Sequence, residues 1–215
     1  MSRTAFEKRS AAARAKGRET LSRAEVLAAA GRLLDESGVA GLSMRSLARA
    51  LGTGPATLYW HVRDRDELLT GVLDETLRHI EIPPGGTWRE RATGLAVATR
   101  AALLPRPALV AVLWRQGWHL GPVTLALADA LVGLIAESGL PEDEVADAYL
   151  AVLWFVLGFV HAESQATPTT GPDADDRYPH LTRYRPDTDP AAADRRFTTG
   201  LSQLLAGIPD RKAPR

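Results

Sequence analysis

The chain has 215 residues, of which 45% are hydrophobic and 24% charged, and its 26 Lys and Arg balance its 26 Asp and Glu. This is the composition of a soluble globular protein of one or two domains. Cysteine is absent, which excludes a disulfide scaffold, a Cys-ligated metal centre and a thiol nucleophile. No secretory signal is recognisable, and the longest uncharged apolar run (residues 148–160) is short for a bilayer. We therefore expect a cytoplasmic protein without membrane contact.

The zero net charge averages two unlike parts of the chain. Residues 1–65 hold 12 Lys and Arg against 6 Asp and Glu, a net of +6, whereas residues 66–215 hold 14 against 20, a net of −6. A basic amino-terminal part is typical of a module that binds a polyanion, although chance clustering on solvated faces gives the same pattern. Residues 1–21 lack apolar periodicity and are rich in Ala, Arg and Lys, which predicts a flexible basic arm.

Helix signals fill the rest of the chain. Capping boxes at Ser22–Glu25, Asp64–Glu67 and Thr87–Glu90 mark three helix starts. No segment alternates with a period of two for long enough to form a sheet, so we expect an all-α fold. Residues 167–188 contain four prolines and many Asp and Thr, which predicts a long loop. The patterns predict about nine helices, near residues 22–38, 43–52, 55–62, 64–81, 87–104, 107–114, 122–138, 141–165 and 189–207.

Two short predicted helices are joined by Gly52-Thr53-Gly54, small residues that suit the close, steep crossing of a helix-turn-helix. In that motif the second helix enters the major groove of DNA and the first crosses the backbone. The second helix offers hydroxyl groups and polar-tipped aromatic rings, and arginines flank it, as DNA contacts require. The alternative for such a pattern is a plain three-helix core with buried aromatic side chains.

The chain resembles the tetracycline-repressor (TetR) family. The resemblance lies in the runs GLSMRSLA (residues 41–48), LG (51–52), TLYWHVRDR (57–65) and LL (68–69), and more weakly in residues 118–121, 155–160 and 197–201. It implies a three-helix helix-turn-helix domain over residues 22–66 that binds a double-stranded DNA operator. It also implies a helical-bundle domain over residues 67–215 that binds a small-molecule effector and forms a homodimer.

The resemblance assigns roles to residues of the helix-turn-helix. Arg45 and Thr57 would contact bases. The contacts to the phosphate backbone would come from Tyr59, Trp60, His61 and Arg65.

Two departures from the family pattern bear on the operator and the ligand. Gly54-Pro55-Ala56 replaces longer polar side chains at the start of the recognition helix, so we expect an operator other than the tetracycline one. Ile80–Pro83 stands where drug-sensing members place a histidine that holds the antibiotic. This departure argues against tetracycline as the ligand and leaves a related polycyclic compound open.

The acidic part has the residues of a small-molecule pocket, because three of the five tryptophans lie between residues 114 and 154. The expected lining residues are Trp114, Gln116, His119, Trp154, Phe155 and His161. The alternative is that these aromatics form only the core or a dimer seam. By resemblance, His119 would bind magnesium carried in by the drug, but a lone histidine is more often a hydrogen-bonded core residue, so we expect no metal site and no cofactor.

Dimerisation follows from the predicted helix over residues 141–165, which is apolar over more than one face. This helix and the last helix, together with the same two helices of a second chain, would form a four-helix dimer interface. The interface would set the distance between the two helix-turn-helix domains on a palindromic operator. We hypothesise a repressor whose apolar effector shifts that spacing through the helix over residues 64–81. The rivals are an all-α enzyme that uses Glu163, His161 and His119, and a ligand-independent or activating regulator.

Overall fold

The computed structural model of the chain describes residues 21–116, 120–165, 177–184, 189 and 192–211. Within these residues it contains ten α-helices, one 3-10 turn at Pro107–Leu109 and no strand, which confirms the all-α fold class. The helices are α1 (Arg23–Gly41), α2 (Met44–Ala50), α3 (Pro55–Leu58), α4 (Arg65–Leu77), α5 (Trp88–Leu103), α6 (Val110–Gln116), α7 (Pro122–Ala136), α8 (Glu142–Ser164), α9 (Pro179–Arg183) and α10 (Ala193–Ala206).

The chain divides into two compact units, and the division falls between Val72 and Leu73, inside α4. The sequence placed this boundary six residues earlier, after Asp66. The first turns of α4 belong to the amino-terminal unit because Leu68 and Leu69 are fully buried there. Gly71 lies so close to Leu27 of α1 that a Cβ atom would stand 2.6 Å from the leucine Cδ2.

Local capping signals start the helices of the amino-terminal unit. The Ser22 hydroxyl accepts from the Glu25 N–H at 3.2 Å, and the Glu25 carboxylate accepts from the Ser22 N–H at 2.7 Å, as the capping box predicts. Gly38 has φ 64°, the left-handed conformation that glycine adopts without steric cost. Ser43 caps α2, with Ser46 completing the reciprocal bonds.

The carboxy-terminal unit is a bundle in which α5, α7, α8 and α10 pack against one another. Its core is aliphatic and aromatic, with Phe197, Leu201, Ile135 and Val152 fully buried. Burial stabilises such side chains by about 1.5–3 kcal/mol each. Acidic residues open α8 at the positive end of its dipole, as expected from the sequence.

By length and composition α8 could cross a membrane, as the core helix of a soluble bundle also could. It contacts α5, α6, α7 and α10, and its buried residues join the core of the bundle. Part of the apolar surface of α8 is therefore buried in the core of the bundle. Trp154, by contrast, is 53% exposed on this helix.

Several predicted boundaries differ from the structure. The helix expected over residues 55–62 is α-helical only at Pro55–Leu58 and continues as turns to His61. The helix expected to reach residue 81 ends at Leu77, ahead of the prolines at 83 and 84. The loop expected over residues 167–188 contains α9, which starts on Pro179. Of this loop the structure describes only residues 177–184. Residues 1–20 of the predicted arm also lie outside the described residues.

Candidate functional site

The turn between α2 and α3 has helix-turn-helix geometry. Gly52 takes φ 62°, and the N–H of Thr53 donates to the Ala48 carbonyl at 3.0 Å, so the chain reverses within four residues. Pro55 then occupies the first turn of α3, where its missing N–H costs nothing. Leu58 and Val62 are buried and fix the inward face of this segment.

Four of the six predicted DNA contacts are exposed: one lies on α2, and three lie in the segment that follows the turn. Trp60 is 87% exposed and Tyr59 is 55% exposed, while Thr57 and Arg45 are also exposed. Aromatic rings normally lower the free energy of a fold by burial, so two exposed rings in sequence are typical of a surface that meets a partner. His61 is half-buried at the end of the segment.

Arg65 has a structural environment that the sequence did not predict. Its Nε donates to the Leu42 carbonyl at 2.7 Å, and its Nη2 donates to the Val39 carbonyl. These bonds tie the start of α4 to the connection between α1 and α2. Contact with the DNA backbone by Arg65 stays a prediction.

A network around Glu67 fixes the end of the recognition segment. The Glu67 carboxylate accepts the Arg63 N–H at 2.8 Å and pairs with the side chains of Arg63 and Arg23. The bond from the Arg63 N–H lowers the pKa of Glu67, and the two guanidinium groups add to this shift. Arg23 also donates to the His61 carbonyl at 3.3 Å. The predicted capping box is therefore modified: Asp64 accepts from the Glu67 N–H, but Glu67 reaches back to Arg63 rather than to Asp64.

The carboxy-terminal unit encloses a cavity of about 390 Å³. Thirteen of its eighteen described lining residues are aliphatic, and they come from α4, α5, α6, α7, α8 and the segment before α7. The other five are Thr99, Trp114, Thr124, Tyr149 and Trp154. An apolar cavity of this size with a few polar groups is typical of a small-molecule site.

The predicted pocket residues separate into those that line this cavity and those that do not. Trp114 and Trp154 line it, each about half exposed. Phe155 points elsewhere: one helix position turns it by about 100°, and its ring packs against Phe159 and Phe197 at centroid distances of 5.9 and 5.5 Å. His161 is exposed and does not line the cavity, for the same reason of helix phase.

Two further pocket predictions cannot be placed. The Gln116 side chain and all of His119 lie outside the described residues.

Sequence reasoning missed Tyr149, Thr99 and Thr124 as cavity residues. The signal was present in α8, where the lining positions 149, 150, 153, 154, 156 and 157 recur at helical spacing. Burial raises the pKa of Tyr149 above its ordinary range.

Asp74 joins α4 to the start of α7. Its carboxylate accepts the N–H groups of Val123 and Thr124 at 3.2 and 3.0 Å and the Thr124 hydroxyl at 2.7 Å. Gly121 at the N-cap position has no side chain to do this, and its Cα lies so close to Asp74 that a Cβ would clash with the carboxylate. Because Thr124 and Leu77 line the cavity, one side of this contact borders the pocket and the other lies on α4.

Glu163, a residue of the rival enzyme hypothesis, has a structural partner. Arg100 is 7% exposed and donates two bonds to Glu163, at 2.9 and 2.7 Å, and one to Asp194 at 2.7 Å. The bond to Glu163 raises the pKa of Arg100, and Asp194 adds to this shift. Among the described residues no group of three or more His, Asp or Glu is placed to hold a metal ion.

Helix-turn-helix and cavity together define a DNA-binding protein with a separate small-molecule site, and comparison with known proteins gives the family. The model of the TetR family of bacterial regulatory proteins matches residues 26–72, and that of the tetracyclin repressor-like carboxy-terminal domain matches residues 82–211. The chain belongs to the TetR family of transcriptional regulators. It is a DNA-binding regulator and not an enzyme.

Individual relatives agree with this assignment. An HTH-type transcriptional regulator of Saccharopolyspora erythraea is 34% identical over 67% of this chain and 61% of its own length. The Escherichia coli tetracycline repressor protein class A from transposon 1721 is 30% identical over 87% of this chain and 90% of its own. Among solved structures, BioQ with its double-stranded DNA operator is 28% identical, with a TM-score of 0.65, over 87% of this chain and 98% of its own.

Proposed function

We propose that this regulator is a homodimeric repressor that binds a palindromic operator in the cytoplasm and is released by a small apolar or aromatic effector. The cavity of about 390 Å³ carries the proposal, because a chain that only bound DNA would gain stability by filling it. The relatives support the DNA-binding half: one is a tetracycline repressor, and BioQ was solved with its operator.

In the proposed complex Arg45 and Thr57 contact base edges, and the exposed rings of Tyr59 and Trp60 pack on the phosphate backbone. Support comes from the exposure of these four side chains, whereas Leu58 between them is buried. His61 and Arg65 complete the backbone contacts. Gly54-Pro55-Ala56 presents little side chain to the groove, so discrimination between bases falls mainly to Arg45 and Thr57.

The proposed dimer forms through α8 and α10. On α8, Ala151, Gly158 and His161 are exposed along one face of an otherwise apolar helix. A second copy of the chain would cover this face, and small side chains allow the close approach of two helices. Two-fold pairing also provides the two symmetry-related helix-turn-helix domains that a palindromic operator needs.

The proposed coupling runs through α4. This helix starts with Arg65 in the amino-terminal unit, and near its end Leu77 lines the cavity while Asp74 caps α7. An effector that binds one arrangement of this contact better than the other shifts the population of the dimer. A ligand-independent regulator would have no use for such a link.

The test is operator binding followed by release. The full chain is titrated against the promoter fragment next to its own gene, and compounds that raise its melting temperature are then added to the complex. We expect binding by two chains per fragment and release by a stabilising compound. Absence of binding at low salt would overturn the proposal; binding that no stabilising compound reverses would favour the ligand-independent alternative.

A further inference from the structure

The part of the cavity wall that the structure describes carries no charge. All eighteen lining residues that the structure describes are Leu, Ala, Val, Thr, Tyr or Trp. The nearest carboxylate that the structure connects to the wall, that of Asp74, already accepts three hydrogen bonds. A charged ligand group would lose its hydration without gaining a counter-charge, which costs several kcal/mol. The eighteen described lining residues therefore favour uncharged ligands.

The hydroxyl groups of the wall differ in what they offer. Thr99 donates to the Leu95 carbonyl at 2.8 Å, and Thr124 donates to Asp74 at 2.7 Å, so both threonine protons are used inside the protein. Tyr149 makes no hydrogen bond to any residue that the structure describes. Its phenol is half-buried and, like any tyrosine at neutral pH, carries a proton that it can donate. Among the described wall residues, Tyr149 is thus the one whose hydroxyl proton is not used inside the protein.

The aromatic part of the wall favours a flat ligand. Trp114 on α6 and Trp154 on α8 are each about half exposed beside the cavity, and Tyr149 adds a third ring. Partly exposed rings gain from stacking or edge contacts with another aromatic system, beyond the area that they bury.

We propose that the effector is an uncharged, flat aromatic compound with a carbonyl or ether oxygen, and that the Tyr149 hydroxyl donates the hydrogen bond that recognises this oxygen. This rests on the proposed function, in that the cavity is taken as the effector site. The phenol would discriminate oxygenated ring systems from hydrocarbons of the same shape. The uncharged wall would reject ionised analogues.

Three probes with one ring system test this: fluorene, fluorenone and fluorenone-4-carboxylate. Their dissociation constants are measured by equilibrium dialysis with the full chain, with Tyr149→Phe and with Ala128→Phe, which fills the cavity. A neutral hydrogen bond contributes about 1 kcal/mol, or about 5-fold in affinity. We therefore expect the fluorenone-to-fluorene affinity ratio to fall about 5-fold in Tyr149→Phe while fluorene affinity stays the same. Ala128→Phe should weaken the binding of both neutral probes. At neutral pH the carboxylate should bind none of the three proteins.

The inference is overturned if Tyr149→Phe leaves the ratio unchanged, if the carboxylate binds as well as fluorenone, or if neither neutral probe binds. The proposed function fails separately. If fluorenone binds in a Tyr149-dependent way but no cavity ligand releases the operator, ligand recognition stands and effector control does not. If compounds release the operator equally from wild type and Tyr149→Phe, effector control stands and the role of Tyr149 does not.

Discussion

The contact between Asp74 and the start of α7 allows a quantitative prediction from one substitution. Asp74→Asn keeps the size of the side chain but removes its charge, and its new NH₂ group faces at least one N–H donor of Val123 or Thr124. Loss of a helix cap costs about 0.5–2 kcal/mol, and loss of a charge at a helix amino terminus costs about 0.3–1 kcal/mol. We expect the free energy of unfolding to fall by about 2 kcal/mol, and the melting temperature by about 4–8 °C in a chain of this size.

The assay is thermal unfolding of the full chain followed by circular dichroism, with Asp129→Asn as the matched control. Asp129 is an exposed carboxylate on α7, the helix that Asp74 caps. Its replacement should therefore change stability by less than about 0.5 kcal/mol. If the two variants unfold at the same temperature, the cap contributes nothing and the reasoning is refuted.

Asp74→Asn also tests the coupling between ligand binding and operator release. Because Asp74 lies on α4 and Thr124 lines the cavity, a weaker cap should separate ligand binding from operator release. In Asp74→Asn we expect ligand affinity to change by less than about 3-fold, whereas the ligand concentration needed for release should rise more. Equal changes in both quantities would place the coupling elsewhere.

Three further predictions concern named side chains. Arg45→Ala should reduce discrimination between operator and random DNA, by about 1–3 kcal/mol in competition binding, and an unchanged preference would contradict base contact by Arg45. Glu67→Gln should lower the free energy of unfolding at pH 7, because the folded-state pKa of Glu67 is lowered. The difference in stability between wild type and variant is fully present above about pH 5 and shrinks as the pH falls through the folded-state pKa. Denaturation at pH 7 and at pH 3 measures this. Glu163→Gln should cost about 3 kcal/mol in urea denaturation because Arg100 is buried, whereas Asp194→Asn, at the exposed partner, should cost much less; equal costs would contradict this account.

Local signals in the sequence predicted the local structure well. The capping boxes at Ser22 and Thr87 form as expected, since each depends only on residues three positions apart. The short helix-turn-helix was also readable, because glycine at 52 and the buried Leu58 and Val62 specify the turn and the inward face.

Contacts between distant residues were not readable. Asp74 and Thr124 are fifty positions apart, and nothing local to either indicates the pairing. Likewise nothing near Arg65 in the sequence indicates that its side chain donates to the carbonyls of Val39 and Leu42. The position of Phe155 outside the cavity lining could not be read for a different reason. Without the phase of α8, adjacent aromatic positions cannot be divided between cavity and core.

The central claim is that two copies of this chain read a symmetric DNA site through the face that carries Arg45 and Thr57. Selection of bound sequences from a random duplex library by the full chain tests it most directly. We predict an inverted repeat with half-sites about 10 bp apart, centre to centre, or a multiple of that, bound by two chains and lost in the double variant Arg45→Ala/Thr57→Ala. No enriched sequence, or an enriched site without two-fold symmetry, would contradict the account.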